Sequence, residues 1–194
     1  MKIISKNILL KLCCVILISI ALGFIIHFSL SVSKNSQITF NNFMYSYTSK
    51  DINQANTYLS NTSIPNINNV FDNILTQLDN ETKSKIITEL RNIMFDINYD
   101  ILSSKTFFNS STLKIRFTYF DLGKHIVNFF KNESSFLNND VQNKYEKFLE
   151  SLKSTKYKLS VILDVQLSKK NKQWNIIMSD KFLNILTSGI YKNF

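Results

Sequence analysis

The sequence predicts an α+β protein in which an N-terminal transmembrane helix precedes a cone-shaped domain of helices packed on a curved antiparallel sheet. Three observations carry this prediction. Residues 12–32 are almost entirely apolar and contain no Asp, Glu, Lys or Arg. The segments that follow place apolar residues three and four positions apart, which is typical of amphipathic helices. Later segments alternate apolar and polar residues, and helices followed by such strands favour the α+β class.

The apolar segment from Leu12 to Val32 is long enough to cross a bilayer. At about 1.5 Å per residue, a helix of this length matches a hydrocarbon core of about 30 Å. Lys2, Lys6 and Lys11 precede it, so we expect residues 1–11 to stay cytoplasmic and the later chain to lie outside. The lipid bilayer of the plasma membrane is thus a predicted partner through residues 12–32.

A cleaved signal peptide is the alternative interpretation of the same segment. It offers a basic n-region, an apolar h-region and a small-x-small site at Ser31-Val32-Ser33. Cleavage near Ser33 would give a secreted protein. The apolar run is longer than the usual h-region of about 7–15 residues, which favours a permanent anchor. His27, near the outer end of the run, is interpreted as an interfacial residue.

Residues 33–37 are expected to link the anchor to one outer domain, residues 38–194. This part carries a net charge of +5, because 19 of the 23 basic residues and all 14 acidic ones follow Lys34. Only Arg91 and Arg116 are arginines, the side chain that pairs best with phosphates and guanine edges, so nucleic acid is not an expected partner. An anionic membrane or envelope polymer suits the charge better.

The first part of the domain is predicted to be helical. Apolar residues follow helical spacing from Ile38 to Leu59, with a break near residues 49–51 where Asp51 caps a second segment. A loop is expected over Asn61–Pro65. Helical spacing also predicts four further segments: Asn66–Leu78, Glu81–Leu90, Asp121–Leu152 with a division at Asn138–Asp140, and Asp180–Thr187 ending at Gly189.

Alternation of apolar and polar residues predicts four strands: Ile93–Ile101, Thr112–Tyr119, Tyr157–Leu167 and Trp174–Met178. The last two are joined by a turn over residues 168–172 and form a hairpin with one wet face and one buried face. Phe107 and Phe108 are adjacent at a strand end. Either one of them faces outward or the strand bulges there, and an exposed Phe would indicate a contact surface.

Three stretches resemble the nuclear-transport-factor-two-like (cystatin-like) superfamily, in particular its bacterial membrane-anchored, lipoprotein-type and lumazine-binding-like domains of unknown function. They are the opening helix Phe40–Leu59, the strand that runs into residues 119–124 (YFDLGK), and the ending from Lys172 to Gly189. The resemblance covers most of residues 38–190. It implies a cone whose curved sheet can enclose a ligand pocket, and it implies no single activity. A long helical insertion, about 121–153, departs from the compact members.

Two sets of side chains are candidate site residues. Asp121 and His125 are four apart on a helix, where a carboxylate can orient an imidazole as a general base. A helix-start acid beside an ordinary exposed histidine is the other interpretation. Tyr119, Tyr157 and Trp174 could line a pocket for an aromatic ligand or a sugar, although core packing explains them as well.

The expected function is that of a non-catalytic binding or protein-interaction module outside the membrane, for a small ligand, an envelope polymer or a protein. The alternative is an enzyme with a pocket in the cone, which needs His125 to open into a cavity within hydrogen-bond reach of Asp121. A homodimer through the sheet would show an exposed apolar stripe on Tyr157–Leu167. No metal or cofactor is predicted. His125 is the only histidine after the apolar segment, which excludes metal sites with several histidines, and the sequence has no glycine-rich phosphate-binding loop.

Overall fold

The structure, a computed structural model, describes residues 6–60, 62–66, 75, 79–132, 141–154 and 158–193. In chain order the elements are α1 (Lys6–Thr48), α2 (Ile52–Asn56), α3 (Asn80–Phe95), β1 (Asn98–Phe107), β2 (Ser110–Tyr119), α4 (Leu122–Asn132), α5 (Val141–Ser154), β3 (Leu159–Lys170), β4 (Gln173–Ile177), α6 (Asp180–Leu186) and α7 (Ile190–Asn193). The predicted α+β class is confirmed.

The four strands form one antiparallel sheet in the order β1-β2-β3-β4. β2 pairs with β3 along its whole length, from Ser110 opposite Ser168 to Tyr119 opposite Leu159. Asn171 and Lys172 form the two-residue turn between β3 and β4, and both have positive φ, 52° and 66°. That conformation matches the twist of the flanking strands, so the turn closes a tight hairpin.

Helices α1 and α6 cover one face of the sheet. Phe40 and Phe43 of α1, Phe117 of β2 and Phe182 of α6 are fully buried. The ring of Phe182 lies 6.0, 5.8 and 5.6 Å from the other three, measured between centroids. Tyr47 is also buried, and its hydroxyl donates a hydrogen bond to the carbonyl of Leu186. This aromatic cluster joins both helices to the sheet.

Two local predictions are confirmed residue by residue. In β2, Leu113, Ile115 and Phe117 are buried whereas Lys114 and Arg116 are exposed, as the alternation requires. The break after α1 falls at residues 49–51. There the Asp51 carboxylate accepts a hydrogen bond from the Gln54 amide at 2.9 Å and caps α2.

The predicted strand start at Ile93 is wrong. Residues 93–95 end α3, and β1 begins only at Asn98. Ile86, Leu90 and Met94 are four apart, lie on one helix face and are buried, so helical packing overrides the short alternation. Asp79 caps the start of α3 by accepting from the amides of Glu81 and Thr82 at 3.0 and 2.9 Å.

The structure also differs from the expectation at two further places. Residues 33–37, expected to be a linker, belong to the continuous helix α1, in keeping with a segment that has neither Gly nor Pro. After Gly189 the chain adds α7, which helical spacing did not indicate. Most of the predicted helix Asn66–Leu78, the division at Asn138–Asp140 and the strand residue Tyr157 lie outside the described residues.

The apolar segment is helical and is the N-terminal part of α1. Its side chains are described over residues 15–23, where Val15, Ile16, Leu17, Ile18, Ile20 and Leu22 are all exposed. Within the described residues, no helix reaches the combined length and hydropathy that a bilayer crossing requires.

Candidate functional site

A half-open groove lies between the first half of β3 and the C-terminal helices α6 and α7. Its volume is about 660 Å³. A neighbouring depression of about 540 Å³ shares Ile162, Leu163 and Lys181 with it and continues along β3 to Gln166. In the groove itself, strand residues form the floor and helix residues form the rim. They are Tyr119, Val161, Ile162 and Leu163 on the sheet, and Asp180, Lys181, Asn184, Ile185, Tyr191 and Lys192 on the helices.

The groove exists because β4 is much shorter than β3. β4 has 5 residues and pairs only with Gln166–Lys170, whereas β3 has 12. Among the described residues, Leu159–Val165 therefore pair with β2 alone. Past Ile177 the chain leaves the sheet and enters α6, which is capped by the Ser179 hydroxyl. The outer edge of β3 presents alternate N–H and C=O groups to the groove, as any unpaired strand edge does.

The floor of the groove is apolar and its rim is charged. Val161 and Ile162 are 36% and 51% exposed, although they point to opposite faces of β3. Lys181 and Asp180 on α6 are exposed at the rim. An apolar floor with a few polar groups around it is the usual composition of a binding site.

Of the three predicted pocket aromatics, Tyr119 and Trp174 are described, and they lie in different places. Tyr119 lies at the end of the groove, where burial and the nearby Asp121 raise the pKa of its hydroxyl. Trp174 is buried in the core on β4, and its indole N–H has no hydrogen-bond partner within the described part of the chain. The Lys169 ammonium lies 5.9 Å from the centre of that ring. Tyr157 is outside the described residues.

Asp121 and His125 form separate hydrogen bonds. The Asp121 carboxylate accepts from the Lys124 amide at 2.9 Å and so caps the start of α4. The His125 Nε2 atom lies 3.1 Å from the Ser151 hydroxyl on α5. Phe120 and Phe148 flank the imidazole, with centroids 5.3 and 6.2 Å away. Each side chain thus supports local structure, and the carboxylate does not orient the imidazole.

Burial lowers the pKa of His125 below its usual value of 6.5. The unfolded chain therefore takes up a proton at a higher pH than the folded domain, so this contribution to stability is lost as the pH falls below about 6.5. We expect the free energy of unfolding of the full chain in micelles to fall between about pH 7.5 and about pH 5.5. The variant His125→Gln keeps a donor for Ser151, and its free energy of unfolding should fall less over the same pH range. Urea titrations at the two pH values measure the loss for the wild type and for the variant. Equal losses in the two would contradict the attribution of the pH dependence to His125.

The groove was not among the sequence predictions, but one signal for it was present. The alternation over Tyr157–Leu167 is about twice as long as that over Trp174–Met178. Paired strands of unequal length must leave part of the longer one without a neighbour. The position of α6 beside that part depends on tertiary packing.

The fold and the groove define an α+β protein with an open groove at the edge of its sheet. Comparisons with models of protein families, with curated proteins and with solved structures gave no match. Within the described residues, no three His, Cys, Asp or Glu side chains are grouped in a way that could hold a metal ion. The site is therefore interpreted from its own geometry.

Proposed function

We propose that this protein is a single-pass membrane protein whose outer domain binds an extended segment of a protein partner in the groove beside β3. The outer edge of Leu159–Val165, which pairs with no other strand among the described residues, carries the proposal. A peptide that adds a strand there gains main-chain hydrogen bonds, and side-chain contacts supply selectivity. Val161 and Ile162 offer the apolar contacts, and Lys181 offers a charged one.

The membrane part of the proposal is supported by the chain around Leu12–Val32. This run lacks charged residues and belongs to one uninterrupted helix, α1. Lysines before it favour a cytoplasmic N-terminus and an outer C-terminal domain. Release of the domain by cleavage near Ser33 would cut α1 within a continuous helix, one turn before the contacts of Ser36 with the sheet.

A cone of the nuclear-transport-factor-two-like kind is the fold that we propose for the outer domain. The supporting features are a helical layer on one face of a four-stranded antiparallel sheet and a groove at the end of that sheet. In this arrangement α4 and α5 correspond to the helical insertion over about 121–153.

Binding is favoured over catalysis by the placement of the two candidate catalytic groups. A general base needs the Asp121 carboxylate next to the His125 imidazole, whereas one caps a helix and the other bonds to Ser151. The groove instead offers apolar surface and main-chain groups. Such a surface suits a peptide, and a second copy of the chain is the competing occupant.

Photo-cross-linking of the full chain in its own membrane tests the site. We place p-benzoylphenylalanine at Ile162, in the groove, and in a control variant at Leu102, an exposed β1 residue whose side chain is 40% accessible. We expect an adduct with another protein at position 162 and none at position 102, with the cross-linked peptide mapping to one extended segment.

The other outcomes of this experiment overturn the proposal. An adduct with the mass of two copies would show that the groove serves self-association through the sheet. Equal labelling from positions 162 and 102 would show non-selective contact.

Loss of the adduct in the rim variant Lys181→Glu is expected, because Lys181 borders both parts of the groove.

A further inference from the structure

The β1–β2 hairpin ends in two exposed aromatic rings. Phe107 and Phe108 are each 73% exposed, and their ring centroids are 4.5 Å apart in an edge-to-face arrangement. Phe108 has φ of 48°, a left-handed conformation that is unusual for a bulky side chain. Both apolar rings therefore project away from the core, one from the last residue of β1 and the other from the two-residue turn that follows.

The segments next to this tip contain five lysines. The Lys169 amide donates to the carbonyl of Asn109 at 2.7 Å, which brings the β3–β4 turn beside the β1–β2 turn. We call the surface formed by residues 34–37, 103–112 and 166–175 the hairpin end. It contains Lys34, Lys105, Lys169, Lys170 and Lys172 and no Asp or Glu. The hairpin end is thus strongly basic as well as aromatic.

The hairpin end lies next to the point where α1 leaves its apolar segment. The Tyr99 hydroxyl donates to Asn41 at 3.1 Å, Gln37 donates to Ser104 at 2.9 Å, and the hydroxyls of Ser36 and Ser111 are 2.9 Å apart. Earlier residues of α1 thus contact positions of the sheet nearer to its hairpin end.

The end of the apolar segment and the aromatic tip lie at the same level along the direction of the strands. Val32, the last residue of the apolar segment, precedes Ser36 by one turn, about 6 Å. The tip at Phe108 lies about two residues beyond the level of Ser111, about 7 Å along the strands. Both distances run in the same direction from the Ser36–Ser111 contact, so the end of the apolar segment and the aromatic tip share one level.

We infer that the hairpin end rests on the outer surface of the bilayer that α1 crosses, with Phe107 and Phe108 in the interface and the lysines against anionic phospholipid headgroups. Apolar rings suit the boundary between headgroups and acyl chains, and lysines close to an anionic surface are attracted to it. This inference rests on the anchor in the proposed function. It also orients the proposed binding groove, because Val161 lies seven residues along β3 from Ser168 and is therefore about 23 Å farther from the membrane than Ser168.

The test uses the full chain reconstituted in vesicles of phosphatidylcholine and phosphatidylglycerol with brominated acyl chains, which quench nearby tryptophan. Phe108→Trp places a probe at the tip. Tyr45→Trp is the control, because Tyr45 is 74% exposed and lies about 20 Å farther along α1 from Val32. The wild-type chain supplies the baseline from buried Trp174. We expect clear additional quenching for Phe108→Trp, less in pure phosphatidylcholine, and none for Tyr45→Trp.

A carbonate wash of the same vesicles separates this inference from the anchor. A chain that stays in the vesicles while Phe108→Trp is no more quenched than Tyr45→Trp overturns the membrane contact and leaves the anchor intact. A chain that washes off overturns the anchor and the inference with it. Phe108→Gly tests the tip without strain, since glycine accepts positive φ. We expect this variant to remain folded by circular dichroism and to expose Lys105 to faster chemical acetylation in vesicles, and an unchanged acetylation rate would overturn the contact.

Discussion

Replacement of Phe182 by alanine is expected to lower the free energy of unfolding by about 3–5 kcal/mol, the range seen when a large buried aromatic is truncated. Phe182 is fully buried and its ring contacts Phe40 and Phe43 of α1 and Phe117 of β2. Alanine would leave a cavity among three rings that belong to different elements. Because these elements cannot all move inward together, the site should collapse poorly and the loss should lie in the upper half of that range.

Urea unfolding of the full chain in micelles, followed by far-ultraviolet circular dichroism, measures this loss as a lower transition midpoint. Phe107→Ala is the matched control. It removes the same atoms from a ring that is 73% exposed, so its effect should stay within about 0.5 kcal/mol. Equal losses in the two variants would show that Phe182 is not at the centre of the core.

The core of this fold could be predicted from sequence wherever the pattern matched a single period. Alternation in β2 identified Ile115 and Phe117 as buried, and helical spacing identified Phe40 and Phe43. Residues 93–95 fit both periods, because they are apolar neighbours within a longer helical repeat. The choice there depends on whether Met94 packs with Leu90 on one helix face, which is a tertiary contact and not a local preference.

The candidate site was less accessible to sequence reasoning than the core. Tyr119 was a predicted pocket residue and does lie in the groove, yet the groove is formed by the end of β4 and the placement of α6. No sequence motif marks the end of β4 or the placement of α6. His125 and Asp121 have the spacing of a catalytic pair, but spacing along a helix does not specify which partner each side chain bonds. Ser151, which bonds to His125, is 26 residues farther along the chain.

The exposed tip illustrates how one pattern supports two opposite explanations. Adjacent phenylalanines in a strand predict either a bulge or an outward ring. The structure has a bulge in β1, but it lies between Ile101 and Ser103, and both Phe107 and Phe108 remain exposed at the turn. A core requirement therefore does not explain them, and the inferred membrane contact is the explanation that the quenching experiment tests.

Replacement of Gly189 by alanine is expected to destabilise the domain by about 2–3 kcal/mol, from two physical causes that act together. Gly189 has φ of 81°, a conformation that costs other residues about 1–2 kcal/mol. A Cβ atom there would also overlap the Asp121 carboxylate oxygen and lie 3.1 Å from its Cγ. Because that oxygen accepts from the Lys124 amide, its displacement removes the cap of α4, worth about 1 kcal/mol.

A double-mutant cycle with Asp121→Ala distinguishes the two causes. With the carboxylate removed, Gly189→Ala should cost only the backbone part, so the two losses should not add. Gly23→Ala is the matched glycine control. Within the described part of the chain, its added Cβ meets nothing within 4 Å outside its chain neighbours and the backbone of its own helix, so it should leave the unfolding midpoint of the domain unchanged. If Gly189→Ala costs the same with and without Asp121, the contact between the added Cβ and the Asp121 carboxylate does not limit this position, and backbone conformation alone explains why glycine is required there.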